Sequence, residues 1–149
     1  MGIETYDLKA KNSLMSFEFI SLGSKGAINK RVQYQKIDAD DDVYNLAFGD
    51  VDRATNDIDD FVITNNNDTT KVLATVASTV PIFIAKYPNA IIYAKGSTPT
   101  RTRLYQIGIA KNLEVINENF TIFGLLEDNK LEIFQKNKPY SAFVIIKKR

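Results

Sequence analysis

The chain has 149 residues, 44% of them apolar and 25% charged, with a net charge of +1 and neither cysteine nor histidine. Such a chain is long and apolar enough for one domain with a real core, and residues 1–149 read as a single unit. Without cysteine or histidine, disulfides, thiolate nucleophiles, Ser-His-Asp and Cys-His catalysis and histidine-held metals are excluded; acid–base chemistry falls to Asp, Glu, Lys, Tyr or water.

The first elements are strands. Phe17-Glu18-Phe19-Ile20-Ser21 is extended and apolar, and Gly23-Ser24-Lys25-Gly26 supplies turn chemistry. Residues 28–37 alternate, with Ile28, Val32 and Tyr34 opposite Asn29, Arg31, Gln33 and Gln35, the pattern of a half-buried antiparallel strand. An acidic loop, Asp38 to Asp42, leads to a third strand from Val43 to Asp50, and Ile58 to Thr64 reads as a short fourth one.

Asn65-Asn66-Asn67-Asp68 is a loop, and Asp68 or Thr69 caps a helix reaching about Tyr87. Val72, Leu73, Val76, Val80, Phe83 and Ile84 recur at helical spacing and form its buried face, with Pro81 expected to kink it. Ala90 to Ala94 is a short central strand. A second helix starts near Thr98-Pro99, with Leu104 and Ile107 facing inward. Phe120 to Leu126, Leu131 to Gln135 and Ala142 to Lys147 are again strand-like. The fold class is therefore α+β, a mostly antiparallel sheet with two main helices. No apolar run approaches the length of a membrane helix, and the first residues lack a secretory pattern, so a cytoplasmic protein is expected.

The small net charge hides a polarity. Between Asp38 and Asp68 ten aspartates face a single Arg53, whereas residues 69–112 carry no acid but Lys71, Lys86, Lys95, Arg101, Arg103 and Lys111. Either the basic part meets an anionic partner, nucleic acid included, or the two parts pair internally; internal pairing is favoured because surface charges usually solvate or pair. Asp38, Asp40 and Asp42 sit at calcium-loop spacing, but Val43 stands where that loop needs glycine and Gly49 where it needs glutamate, so no metal is expected.

Gly96 to Tyr105 is the stretch richest in possible chemistry. Helix N-termini present free N–H groups and partial positive charge. Ser97 and Thr98 add hydroxyls, and Arg101 and Arg103 place cations where the helix dipole disfavours them, a conflict that a bound anion or paired aspartates would resolve. The loop before the first helix is a second candidate, with Asn66, Thr69 and Lys71 as ligand contacts; it lacks the glycine that a close-fitting phosphate loop uses.

Lys71-Val72-Leu73-Ala74-Thr75-Val76-Ala77 and Gly96-Ser97-Thr98-Pro99-Thr100-Arg101-Thr102-Arg103-Leu104-Tyr105 resemble motifs of an uncharacterised family of small Bacteroidota proteins. The element order, together with Leu104-Tyr105-Gln106-Ile107-Gly108, also resembles the GNAT superfamily of N-acetyltransferases. That resemblance implies a GNAT-like sheet, acetyl-CoA or another acyl-CoA as cofactor, Tyr105 as acid and Asp50 or Asp60 as base. It also implies a splay between Phe61–Thr64 and Ala90–Ala94 that admits the cofactor. The glycine-free loop at Asn65 to Lys71 departs from the superfamily's diphosphate loop, and Asp68 would repel a diphosphate. The preferred expectation is a non-enzymatic binding or regulatory module without a cofactor, its partner a protein or small anion; an acyltransferase and a nucleic-acid or nucleotide binder are the alternatives.

Overall fold

A computed structural model describes residues 4–59 and 64–148. All eight strands among them join one sheet. They are β1 (Lys9–Lys11), β2 (Ser16–Gly23), β3 (Gly26–Lys36), β4 (Val43–Asp50), β5 (Ile91–Ala94), β6 (Phe120–Leu125), β7 (Leu131–Ile133) and β8 (Ala142–Lys147). The spatial order is β1-β2-β3-β4-β5-β8-β6-β7, and only β4 and β5 run parallel. A parallel neighbour needs a crossover, and α1 (Thr69–Lys86) supplies it. α2 (Pro99–Lys111) and α3 (Leu113–Asn119) follow β5. The fold is thus α+β, as the alternating strand patterns and the helical apolar spacing require.

The strand parity decides what lies where. Phe17, Phe19, Val32, Tyr34, Tyr44, Leu46 and Phe48 point to the helix side and are buried. All six apolar positions expected on the inner face of α1 are buried too, and Phe83 stacks on Tyr34 at 3.9 Å between ring centroids. Rings offset in this way add roughly 0.5–1.5 kcal/mol to their area burial. α1 runs on through Pro81, whose ring is exposed, so the missing N–H falls on the solvent side. Gly108 brings α2 against Leu73 of α1; a Cβ there would lie 3.3 Å from the Leu73 Cβ.

Two elements differ from expectation. β1 and α3 are additions: β1 is three exposed residues, and α3 buries only Ile116, so neither carries a periodic signal. Of the expected strand from Ile58 to Thr64, residues 60–63 lie outside the described residues, and Ile58 makes an isolated bridge to Val51. β5 pairs on one side with the first half of β4, Val43 to Leu46 opposite Ile91 to Ala94, and on the other with β8.

Candidate functional site

At the start of α2 the chain satisfies its own groups. Thr98 is the N-cap, and its hydroxyl accepts the Arg101 amide at 3.2 Å. Pro99 follows in the first turn, where its missing N–H costs nothing. The Thr102 hydroxyl accepts the Gly96 amide at 3.0 Å, and the helix presses so close that a Cβ on Gly96 would stand 2.4 Å from the Thr102 nitrogen. Arg101 donates to the backbone carbonyl of Asp59 at 2.9 Å and so ties α2 to the β4–α1 connection. Ser97 and Arg103 are exposed. Asp50 and Asp42 of the acidic segment pair with Lys30 and Lys36. Arg101 meets that segment through the Asp59 carbonyl, and Asp60, another of its carboxylates, lies outside the described residues.

The loop before α1 is filled from the sheet. Asn66 is 1% exposed: its amide group donates to the Gly26 carbonyl at 2.9 Å and the Ser21 hydroxyl at 3.1 Å, and its Oδ1 accepts the Lys25 amide at 2.6 Å. A Cβ on Gly23 would fall 1.9 Å from the Asn66 carbonyl oxygen, so this hairpin and this loop interlock only with glycine there. Asp68 occupies the N-cap position but does not cap with its side chain, contrary to expectation. Its carboxylate instead accepts the hydroxyls of Tyr6 and Ser21, each at 2.5 Å. Burial and the bond to Asp68 raise the Tyr6 pKa above the ordinary phenol value. Lys71 lies over the Tyr6 ring, 4.3 Å from its centroid, and Thr69 is half-buried beside it. Asn66, Asp68 and Lys71 hold the N-terminal segment and the β2–β3 turn onto α1.

The pairing of β4 with β5 ends at Leu46, opposite Ala94, the last residue of β5; from there, among the described residues, β4 continues beside β3. The expected splay between Phe61–Thr64 and Ala90–Ala94 involves residues 61–63, which lie outside the described residues. Tyr105, 8% exposed, reaches this part of β4 from α2. Its hydroxyl accepts the Phe48 amide at 3.3 Å and donates to the Leu46 carbonyl at 3.4 Å, while its ring meets Phe48 edge-on. Asp50, at the end of β4, is bound to Lys30 at 2.5 Å across the strands. Lys30 is 1% exposed, donates also to the Thr64 carbonyl, and the Asp50 carboxylate accepts the Thr64 amide at 3.0 Å. Of the two expected bases, Asp50 is thus held in a buried ion pair, and Asp60 lies outside the described residues. Lys30 sits at the apolar parity of β3, between Ile28 and Val32. That parity marks Lys30 as a buried lysine in the sequence.

The opposite face of the sheet carries a polar cleft of about 310 Å³. Its floor is one cross-strand row, Lys11 opposite Ser16 and Ser16 opposite Gln33. Glu18 and Arg31 form the next row and are bonded at 2.7 Å. Lys11 donates to Glu18 at 2.9 Å; hydrogen bonds from Lys11 and then Arg31 hold the Glu18 carboxyl below the usual range, against an opposing contribution from burial. Arg31 also donates to the Asn56 carbonyl at 2.7 Å, which brings Asn56 and Asp57 over the cleft as a wall. The far rim is a left-handed turn at Asn12, Ser13 and Leu14, with φ of 52°, 56° and 67°. Each such residue costs roughly 1–2 kcal/mol, more than glycine would. Tyr87 donates to the Ser13 carbonyl at 2.9 Å and holds the turn against the end of α1. No sequence expectation pointed here, because its residues come from β1, β2, β3 and a loop that only the strand register brings together.

The Asp38–Asp42 loop is exposed, with the Asp40 amide bonded to the Asp38 carboxylate at 3.0 Å, and the described residues hold no group of three carboxylates placed for a metal ion. No helix among them is long and apolar enough to cross a membrane. Neither a curated protein nor a solved structure matches the chain. A family model does: it covers residues 3–148, nearly the whole chain, and the protein belongs to that family of unknown function, DUF6934.

Proposed function

We propose that this chain is a non-catalytic binding module built on a GNAT-like sheet. The parallel β4–β5 pair, crossed by α1 within an otherwise antiparallel sheet, supports the scaffold reading. The observation that carries the functional reading is the packing around Asn66 and Asp68. Where an acyltransferase of that scaffold would seat a diphosphate, a buried asparagine locks into the β2–β3 turn and a carboxylate accepts two protein hydroxyls. A diphosphate there would meet a like charge and would have to displace the hairpin.

The acyltransferase reading draws its support from Tyr105. Its hydroxyl meets the β4 backbone just past the end of β5 through long hydrogen bonds of 3.3 and 3.4 Å, which a thioester could replace. In that reading Tyr105 protonates the leaving thiolate. One titration separates the two. A ligand that binds only the folded state raises the unfolding midpoint. With acetyl-CoA or CoA at millimolar concentration the binding-module reading predicts an unchanged midpoint; a concentration-dependent rise that Tyr105→Phe diminishes establishes the acyltransferase instead.

A further inference from the structure

The cleft on the helix-free face of the sheet has the composition of a site rather than of a solvated surface. Arg31 is held on three sides, its guanidinium bonded to Glu18, the Asn56 carbonyl and the Asn56 side chain. Around this fixed floor other polar groups have no protein partner among the described residues. Ser16, only 6% exposed, opens its hydroxyl into the cleft, and the Gln33 amide and the Asp57 carboxylate line it. Lys11 contributes an ammonium with only one of its three donors in use. Buried polar groups elsewhere in this fold are satisfied by protein, and each side-chain nitrogen or oxygen fully enclosed among the described residues has a partner. Groups left open in a walled cleft are those available to a ligand.

From these groups we infer that the cleft binds a small zwitterion, of amino-acid or dipeptide class. The Lys11 ammonium meets its carboxylate, the Asp57 carboxylate meets its ammonium, and the Ser16 hydroxyl and Gln33 amide bond the polar atoms between. A simple anion is disfavoured, because Glu18 and Asp57 flank the only open cation. No aromatic ring lines the cleft, so a nucleobase has no platform to stack on. The volume of about 310 Å³ lies at the lower end of the range of roughly 300–1,000 Å³ for small-molecule pockets, which limits the ligand to this size. The left-handed turn at Asn12–Leu14 fits the same assignment: backbone strain of this kind gathers where a loop shapes a ligand site. The inference rests on the binding-module reading and gives that module a ligand.

The test is an amide-resolved NMR titration of the full chain with L-amino acids and dipeptides. N-acetylated and C-amidated forms, each lacking one charge, serve as controls. Saturable shifts at the amides of Lys11, Ser16, Gln33 and Asp57 are expected. Blocking either charge should weaken binding about tenfold or more, the worth of one charge-assisted hydrogen bond. Asp57→Asn and Lys11→Gln should each weaken the zwitterion similarly while circular dichroism stays unchanged, since both side chains are exposed. Amino acids and dipeptides are told apart by which series saturates at lower concentration. Absence of shifts at millimolar ligand, equal binding of the blocked controls, or unchanged binding by both variants overturns the inference. Acyl-CoA binding is read at other amides, those of Phe48 and the first turn of α1, so a failure of the zwitterion and a failure of the binding-module reading are separate results.

Discussion

The two faces of the sheet treat polar groups in opposite ways. On the helix side, Lys30, Asp50, Asn66, Tyr34 and Tyr105 are buried, and protein groups satisfy each of them. On the bare side, around Glu18 and Arg31, the hydroxyl of Ser16 and the side chains of Gln33 and Asp57 are left without protein partners among the described residues. A polar residue inside the core must be bonded by the fold, at a cost of about 1–3 kcal/mol if it is not. A polar residue facing a cleft can leave that bond to a visitor.

The largest effect expected lies in the core. Lys30→Met leaves Asp50 charged and unpaired beside the core, and breaking a buried pair in this way costs about 3–5 kcal/mol. Chemical denaturation of Lys30→Met and of Lys30→Met/Asp50→Leu checks this; the double variant should regain much of the loss. If the single variant unfolds at the wild-type midpoint, the helix side is less dependent on paired polar groups than this comparison holds.

Next in size is Gly23→Ala. The added methyl collides with the Asn66 carbonyl, and overpacking of this kind costs about 1–3 kcal/mol. Gly26→Ala gives a useful contrast. Its φ of +89° strains any L side chain, yet nothing lies within 4 Å of the added Cβ, so its cost is conformational alone. Thr98→Ala removes the α2 cap and should cost about 1 kcal/mol. Because Thr98 serves the helix itself, phosphate should not restore the lost stability; stabilisation of that variant by phosphate would revive an anion site at this terminus.

The smallest effect concerns pH at the bare face. The folded Glu18 pKa is depressed, so its contribution is complete above the ordinary glutamate range and is lost as pH falls through the lower folded value. Thermal midpoints of wild type and Glu18→Gln should therefore differ near neutral pH and converge in acid. A gap that stays constant down to the most acidic pH would remove the Lys11–Glu18–Arg31 network from the account.

What was legible in the sequence follows from locality. The strand from Val43 to Asp50, the buried face of α1 and the Thr98–Pro99 cap are matters of spacing over a few residues, and all three are found where spacing put them. The roles of the candidate side chains depend on contacts far along the chain. Asn66 reads as a loop residue but is a wedge, because the turn 40 residues before it arrives on top of it. Asp68 reads as a cap but faces Tyr6, 62 residues away. Tyr105 reads as a residue of a short helix pattern, yet its hydroxyl meets the β4 backbone at Leu46 and Phe48, 59 and 57 residues before it. The cleft was invisible for the same reason: Lys11, Ser16 and Gln33 become one row only once the register of three strands is known.

On the binding-module proposal, protein groups already hold the places where an acyl-CoA would sit, and the amide spectrum of the full chain during titration with acetyl-CoA reads this directly. Unmoved resonances for Phe48 and for Thr69 to Lys71 are predicted, since Tyr105 holds the first and the Asn66–Asp68 packing closes off the second. Saturable shifts at both places would show the cofactor displacing those groups and would contradict the account.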